Sequence, residues 1–112
     1  MPLRKQNWDV VAFGLLGERY SQELVEFSLK HGLTDELDLV VELINQAFPE
    51  AESVTVGMEQ DPESNQHWIM VDALVSGPAK EIRLRHRECV RRLLKSIPWP
   101  TSTLIRTTYT LA

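Results

Sequence analysis

The sequence predicts an α+β fold. A small mixed three-stranded sheet carries helices packed on one face, in an α-β-β-α-β order, after one extra N-terminal helix. Three observations predict it. Apolar residues recur at helical spacing from Leu37 to Phe48. Two strand patterns flank the turn residues Asp61-Pro62-Glu63-Ser64-Asn65. Gly77-Pro78 then opens an amphipathic segment that stops at Pro98-Trp99-Pro100, ahead of a last alternating run. A strand that follows a crossover helix should lie parallel to the strand before it.

Each element has a local cause. Residues 1–7 are polar and carry no pattern. Trp8 to Leu16 reads as a short strand or a helix start, and Gly14 and Gly17 weaken either reading. Ser21 caps a helix that runs to His31, with Leu24, Phe27 and His31 on one face. Gly32 supplies the left-handed stop and Leu33 its hydrophobic contact. Thr34 is a good N-cap for the next helix. Asp35, Glu36 and Asp38 lie in its first turn, where the helix dipole favours negative charge. Pro49 ends it. Val54, Val56 and Met58 alternate with polar residues, as in a half-buried strand. Trp68 to Val75 is nearly continuous apolar sequence and reads as a central strand covered on both faces. Pro78 is expected in the first turn of the next helix. Ile105, Thr107, Tyr109 and Leu111 alternate in the last strand.

The 112 residues are expected to form a single domain, with 1–33 as an N-terminal extension and 34–112 as the core. A hydrophobic fraction of 43% and a charged fraction of 25% are ordinary for a globular protein. Cys89 is the only cysteine, so an intramolecular disulfide and a paired-cysteine zinc site are excluded. No signal peptide is expected, because the apolar run Val10 to Leu16 is only seven residues, Asp9 abuts it and no small-residue cleavage site follows. No membrane span is expected, because no stretch approaches about 18 apolar residues. The compartment expected is the cytoplasm.

Charge is sorted along the chain. Between Lys30 and Lys80 there is no Lys or Arg, while the same stretch is rich in Asp and Glu. The segment from Pro78 to Ile97 is strongly basic, so the net charge of −4 hides a dipole. On a helical wheel Ile82, His86, Cys89, Val90, Leu93 and Ile97 share one face. Lys80, Arg83, Arg87, Arg91 and Lys95 share the opposite one. Those five are the candidate residues for binding phosphate or an acidic partner; the plainer reading is a solvated face. Little aromatic interleaving accompanies them, which disfavours base stacking.

Residues with catalytic chemistry are sparse. No glycine-rich phosphate loop, His-Glu-x-x-His or Gly-x-Ser-x-Gly is present. Asp72 interrupts an apolar strand, so it either faces solvent or is buried with a partner. His67 opens the same strand. His86 lies on the apolar helix face with Cys89 one turn on. Two such ligands fall short of a structural zinc site.

Residues 35–112 resemble the BolA family. Arg85-His86-Arg87 on the helix after the hairpin is similar to the family's Arg-His-Arg signature, and it is followed by Val90, Leu93 and Leu94. His67-Trp68 opens the second strand nineteen residues before His86. Thr108-Tyr109-Thr110 stands in the last strand, and Ala47-Phe48 ends the first core helix. The resemblance implies a fold order like one class of KH domain. It also implies partnership with a monothiol glutaredoxin, in which His86 helps hold a bridging 2Fe–2S cluster, or nucleic-acid binding by a KH-like surface.

Three functional expectations follow. The first is a non-enzymatic module that docks a protein partner and needs no cofactor of its own, outside the BolA-like case. The second is a nucleic-acid-binding regulator that uses the helix 80–95. The third is a small enzyme with a pocket near Asp72, His67 and His86. Trp8, Val10, Val11, Phe13, Leu15 and Leu16 also offer a homodimer contact through residues 8–16.

Overall fold

The computed structural model describes residues 20–112. The expectations for the segment 8–16, including a homodimer through it, lie outside the described residues. The chain divides into two compact units, 1–39 and 40–112, and the boundary falls within a helix.

In the first unit, α1 spans Gln22–His31. Its start is fixed by Ser21, whose hydroxyl accepts from the Leu24 N–H at 3.2 Å. Its end is fixed by Gly32, at φ 64° and ψ 43°. The N–H of Leu33 reaches the Ser28 carbonyl at 2.8 Å and that of Gly32 reaches the Leu29 carbonyl at 3.3 Å. This pair of bonds is the Schellman stop, and Leu33 is buried as its hydrophobic contact.

Helix α2 spans Thr34–Ala47. Thr34 is not its cap. The Leu33 carbonyl accepts the first helical bond, from the Leu37 N–H at 2.8 Å, so Leu33 holds the N-cap position. One residue therefore closes α1 and opens α2.

In the second unit, β1 (Ser53–Gln60) and β2 (His67–Val75) form an antiparallel hairpin that pairs Gln60 with His67 and Ser53 with Leu74. Asp61 shapes the turn by accepting the Glu63 N–H on its own carboxylate at 2.9 Å. Helix α3 spans Ala79–Ser96. Pro78 is its N-cap rather than a first-turn residue, because Pro78 keeps an extended ψ of 126° while its carbonyl accepts from the Ile82 N–H. A 3-10 turn at Thr101–Thr103 follows, which the sequence reading did not anticipate. Strand β3 spans Ile105–Leu111 and lies parallel to β2, with Ile69 opposite Ile105. The sheet order is β1-β2-β3.

Side chains alternate across β2. Ile69, Val71, Ala73 and Val75 are fully buried. Helix α3 and the last turns of α2 cover this face, through Val40, Leu43, Ile44, Phe48, Ile82, Cys89 and Leu93. Trp68, Met70, Asp72 and Leu74 point to the other face and are only half-buried. The central strand is thus covered fully on one face and in part on the other, which corrects the expectation of two covered faces. On that second face the Arg106 guanidinium lies 4.0 Å over the Trp68 ring, and Thr110 donates to the Asp72 carboxylate at 3.1 Å.

Candidate functional site

Helix α3 carries most of the residues singled out in the sequence, and its geometry separates them into three groups. The first group is structural. Arg85 faces the C-terminal end of α2. Its Nε and Nη2 donate to the Ala47 carbonyl at 3.0 and 2.6 Å. Nη2 also meets Glu50 Oε1 at 2.6 Å, and the guanidinium stands 5.1 Å over the Phe48 ring. The Arg85 hydrogen bond holds the Glu50 carboxyl below the usual carboxylate range. A helix C-terminus presents unpaired carbonyls that favour a cation, so Arg85 acts as a tertiary cap. The first arginine of Arg85-His86-Arg87 is thereby occupied.

The second group is the seam between α3 and β3. His86 is half-buried. Its Nε2 lies 3.1 Å from Thr107 Oγ1, and its ring meets the Tyr109 ring edge-on at 5.1 Å. Burial holds the imidazole below its ordinary value of 6.5, and a backbone hydrogen bond at Thr107 acts the other way. Cys89 lies one turn on but on the α2 side of the helix, where it lines a groove with Leu43 and Ala47, and it is 3% exposed. Burial pushes its thiol above the ordinary range, with Arg92 opposing. Among the described residues no group of three or more His, Cys, Asp or Glu could hold a metal ion.

The third group is the outward face of α3. Lys80, Arg83, Arg87, Arg91 and Lys95 are all exposed. Arg91 pairs with Glu88 at 3.1 Å, an exposed pair of small energetic weight. Lys80, Arg83, Arg87 and Lys95 make no ion pair among the described residues. Among the described residues the acidic stretch does not neutralise the stripe: its one ion pair with α3 is from Glu50 to Arg85, on the other side of the helix.

Sequence reasoning missed two members of this face. Leu84 is 48% exposed and Leu94 is 53% exposed. They stand ten residues apart, about 15 Å along the helix, with Arg87 and Arg91 between them. The wheel held the signal, because both leucines fall among the cations rather than on the apolar side. Trp99, just past the end of α3, is 78% exposed.

The three residues of the enzyme expectation are not brought together. Asp72 lies on the half-open face of the sheet, while His86 packs against the helix-covered face. His67 is four residues along β2 from Val71, the register partner of Thr107, which is about 13 Å away. No described helix is long and apolar enough to cross a membrane. No family model matches the chain, and neither a curated protein nor a solved structure matches it.

Proposed function

We propose that this chain is a small non-enzymatic binding module that docks an acidic protein partner through the outward face of α3. One observation carries the reading. Lys80, Arg83, Arg87 and Lys95 are exposed and make no ion pair among the described residues, and Leu84 and Leu94 are exposed among them. Unpaired cations alone suit any anion. Exposed leucines within the same stripe favour a partner with apolar side chains of its own, because apolar contact supplies affinity that salt does not screen. Nucleic acid is the second reading, and the same four cations favour it. The outward face of α3 carries no aromatic platform for bases, which places it behind the first. A free, buried Cys89 suits a reducing compartment such as the cytoplasm.

The sharper BolA-like form adds a glutaredoxin partner and a shared 2Fe–2S cluster. A shared cluster asks for one ligand from this chain, and His86 is the residue the resemblance supplies. Its Nε2 faces Thr107, so ligation through that atom would have to exchange this hydrogen bond for the cluster.

The test is anaerobic affinity purification from the native cells of wild type, Arg83→Glu/Arg87→Glu and His86→Ala. The expected result is a protein partner that is lost on charge reversal and weakened by added salt. A brown complex with a glutaredoxin, lost in His86→Ala, would establish the BolA-like form. Binding of a labelled single-stranded oligonucleotide that charge reversal abolishes, without any protein partner, would establish the second reading. A partner retained at full level by the double variant would overturn both uses of this face.

A further inference from the structure

We infer that the free edge of β3, with the groove between it and α3, is a docking site for an extended peptide segment that carries an apolar residue followed on the same face by acidic ones. The inference rests on the acidic-partner reading and specifies how that partner is held.

The backbone of β3 sets the edge. The Ile69 N–H donates to the Leu104 carbonyl at 2.8 Å, and at the other end the Ala112 N–H donates to Val75 at 2.8 Å. In a parallel ladder this pattern turns the even-numbered residues of β3 toward β2. The N–H groups of Thr107 and Tyr109 therefore point away from the sheet, and among the described residues no strand pairs with them. From Thr107 to Leu111 the strand holds no charge and no proline, the usual guards of an edge.

A groove of 160 Å³ lies at this edge, lined by Val90, Leu93 and Leu94 of α3, Ser102 of the 3-10 turn, and Ile105, Arg106 and Thr107 of β3. Ile105 and Thr107 point to the helix side of the sheet and Arg106 to the other. A groove that touches all three, and no residue of β2, opens at the outer margin of the strand. Apolar cavities of about 150 Å³ hold a group the size of benzene, so one aliphatic side chain suits this one.

Charge selects what extends beyond that side chain. Arg83, Arg87, Val90 and Leu94 form one stripe of α3, at i, i+4, i+7 and i+11. As the crossover between parallel strands, α3 runs antiparallel to β3, and His86 meets Thr107 and Tyr109 midway. The groove thus lies beside the start of β3, while Arg87 and Arg83 overlook its later residues. They stand about 4.5 and 10.5 Å along the helix from Val90. Alternate residues of an added strand are spaced by about 6.7 Å. An apolar side chain in the groove therefore places the residue two positions away near Arg87, and the residue four positions away near Arg83. Neither cation makes an ion pair among the described residues, so acidic residues fit both positions. Backbone bonds supply the affinity of such strand addition, and alternate side chains supply its selectivity.

The probe is a short capped peptide with one leucine and glutamates two and four positions away, made in both sequence directions, beside a counterpart with lysines for glutamates. Binding is read by fluorescence anisotropy, and amide exchange of Thr107 and Tyr109 is read by NMR. The expected result is that one direction of the acidic peptide binds and slows exchange at both amides. Leu94→Gln and Arg87→Glu should each weaken it about tenfold, equivalent to about 1.4 kcal/mol. Leu94 and Arg87 are exposed, so neither change threatens the fold. Equal binding of the lysine counterpart would overturn the inference, as would binding without protection of the two amides. Absence of peptide binding in both directions, with partner capture still lost in Arg83→Glu/Arg87→Glu, would overturn strand addition while leaving the broader reading in place.

Discussion

Arg85 donates twice to one acceptor, the carbonyl oxygen of Ala47, at 3.0 Å from Nε and 2.6 Å from Nη2. A single carbonyl at the end of α2 is thereby tied to a side chain 38 residues later in the chain. The contact fixes where α2 ends against α3, and it engages the guanidinium while the Arg85 side chain stays 30% exposed. Truncation should cost about 1.5–3 kcal/mol, the range for hydrogen bonds to charged groups. Urea unfolding of Arg85→Ala checks this. Arg85→Lys should recover only part, because an ammonium cannot form the two-pronged contact.

The His86 imidazole is held below 6.5 in the folded chain by burial. Its unfolded counterpart titrates near the ordinary value, so in acid the unfolded state binds the proton first. The stability that neutral His86 contributes is therefore complete above that value. It is lost as pH falls from 6.5 through the lower folded value. The unfolding midpoint of wild type should drop between about pH 7.5 and 5.5 by more than that of His86→Gln. Equal drops would show that other groups carry the acid sensitivity.

Two glycines should respond with opposite signs. Gly77 sits at φ 135°, where a side chain is strained even though an added Cβ would meet only Ile82 Cδ1, at 3.6 Å. Gly77→Ala should destabilise by about 1–3 kcal/mol. Gly57 lies in β1 with nothing within 4 Å of an added Cβ. Gly57→Thr should stabilise by about 0.5–1 kcal/mol, through a less flexible unfolded chain and a better strand former. Thermal unfolding of both variants decides the signs.

Cys89 is buried and its thiol is held above the ordinary range, so the thiolate that alkylating reagents attack is scarce and shielded. Labelling of the native protein by iodoacetamide should be slow and should accelerate in urea in parallel with loss of structure. Rapid labelling without denaturant would show that the seam beneath α3 opens locally.

The fold was legible where one residue has one structural use. Gly32-Leu33 announced the end of α1, and the placement of α3 between two apolar runs announced a parallel third strand. The exposed basic stripe was legible because helical periodicity alone sorts it. Thr34 misled because its hydroxyl is a common cap, but Leu33 had already turned the chain into the next helix. Asp72 was left open between solvent and burial; it occupies the half-open face and accepts from Thr110. The capping role of Arg85 gave no signal, since its partner is a backbone carbonyl and carbonyls have no sequence identity. The candidate site was half legible for a similar reason: periodicity found the cations, whereas the groove beside β3 depends on which strand lies at the edge.

The parallel pairing of β2 with β3 also sets an order of events during synthesis. The hairpin closes between Gln60 and His67, seven residues apart, whereas Ile69 waits for Ile105, thirty-six residues on. Closing the longer loop costs about 1.5 kcal/mol more in chain entropy. At about 5–20 residues per second, a ribosome needs roughly 2–7 seconds to make that interval. For those seconds the outer side of β2 has no strand to pair with, and only α2 and the growing α3 can shield Ile69, Val71, Ala73 and Val75. A nascent-chain chaperone that recognises short apolar β-segments would find its opening there.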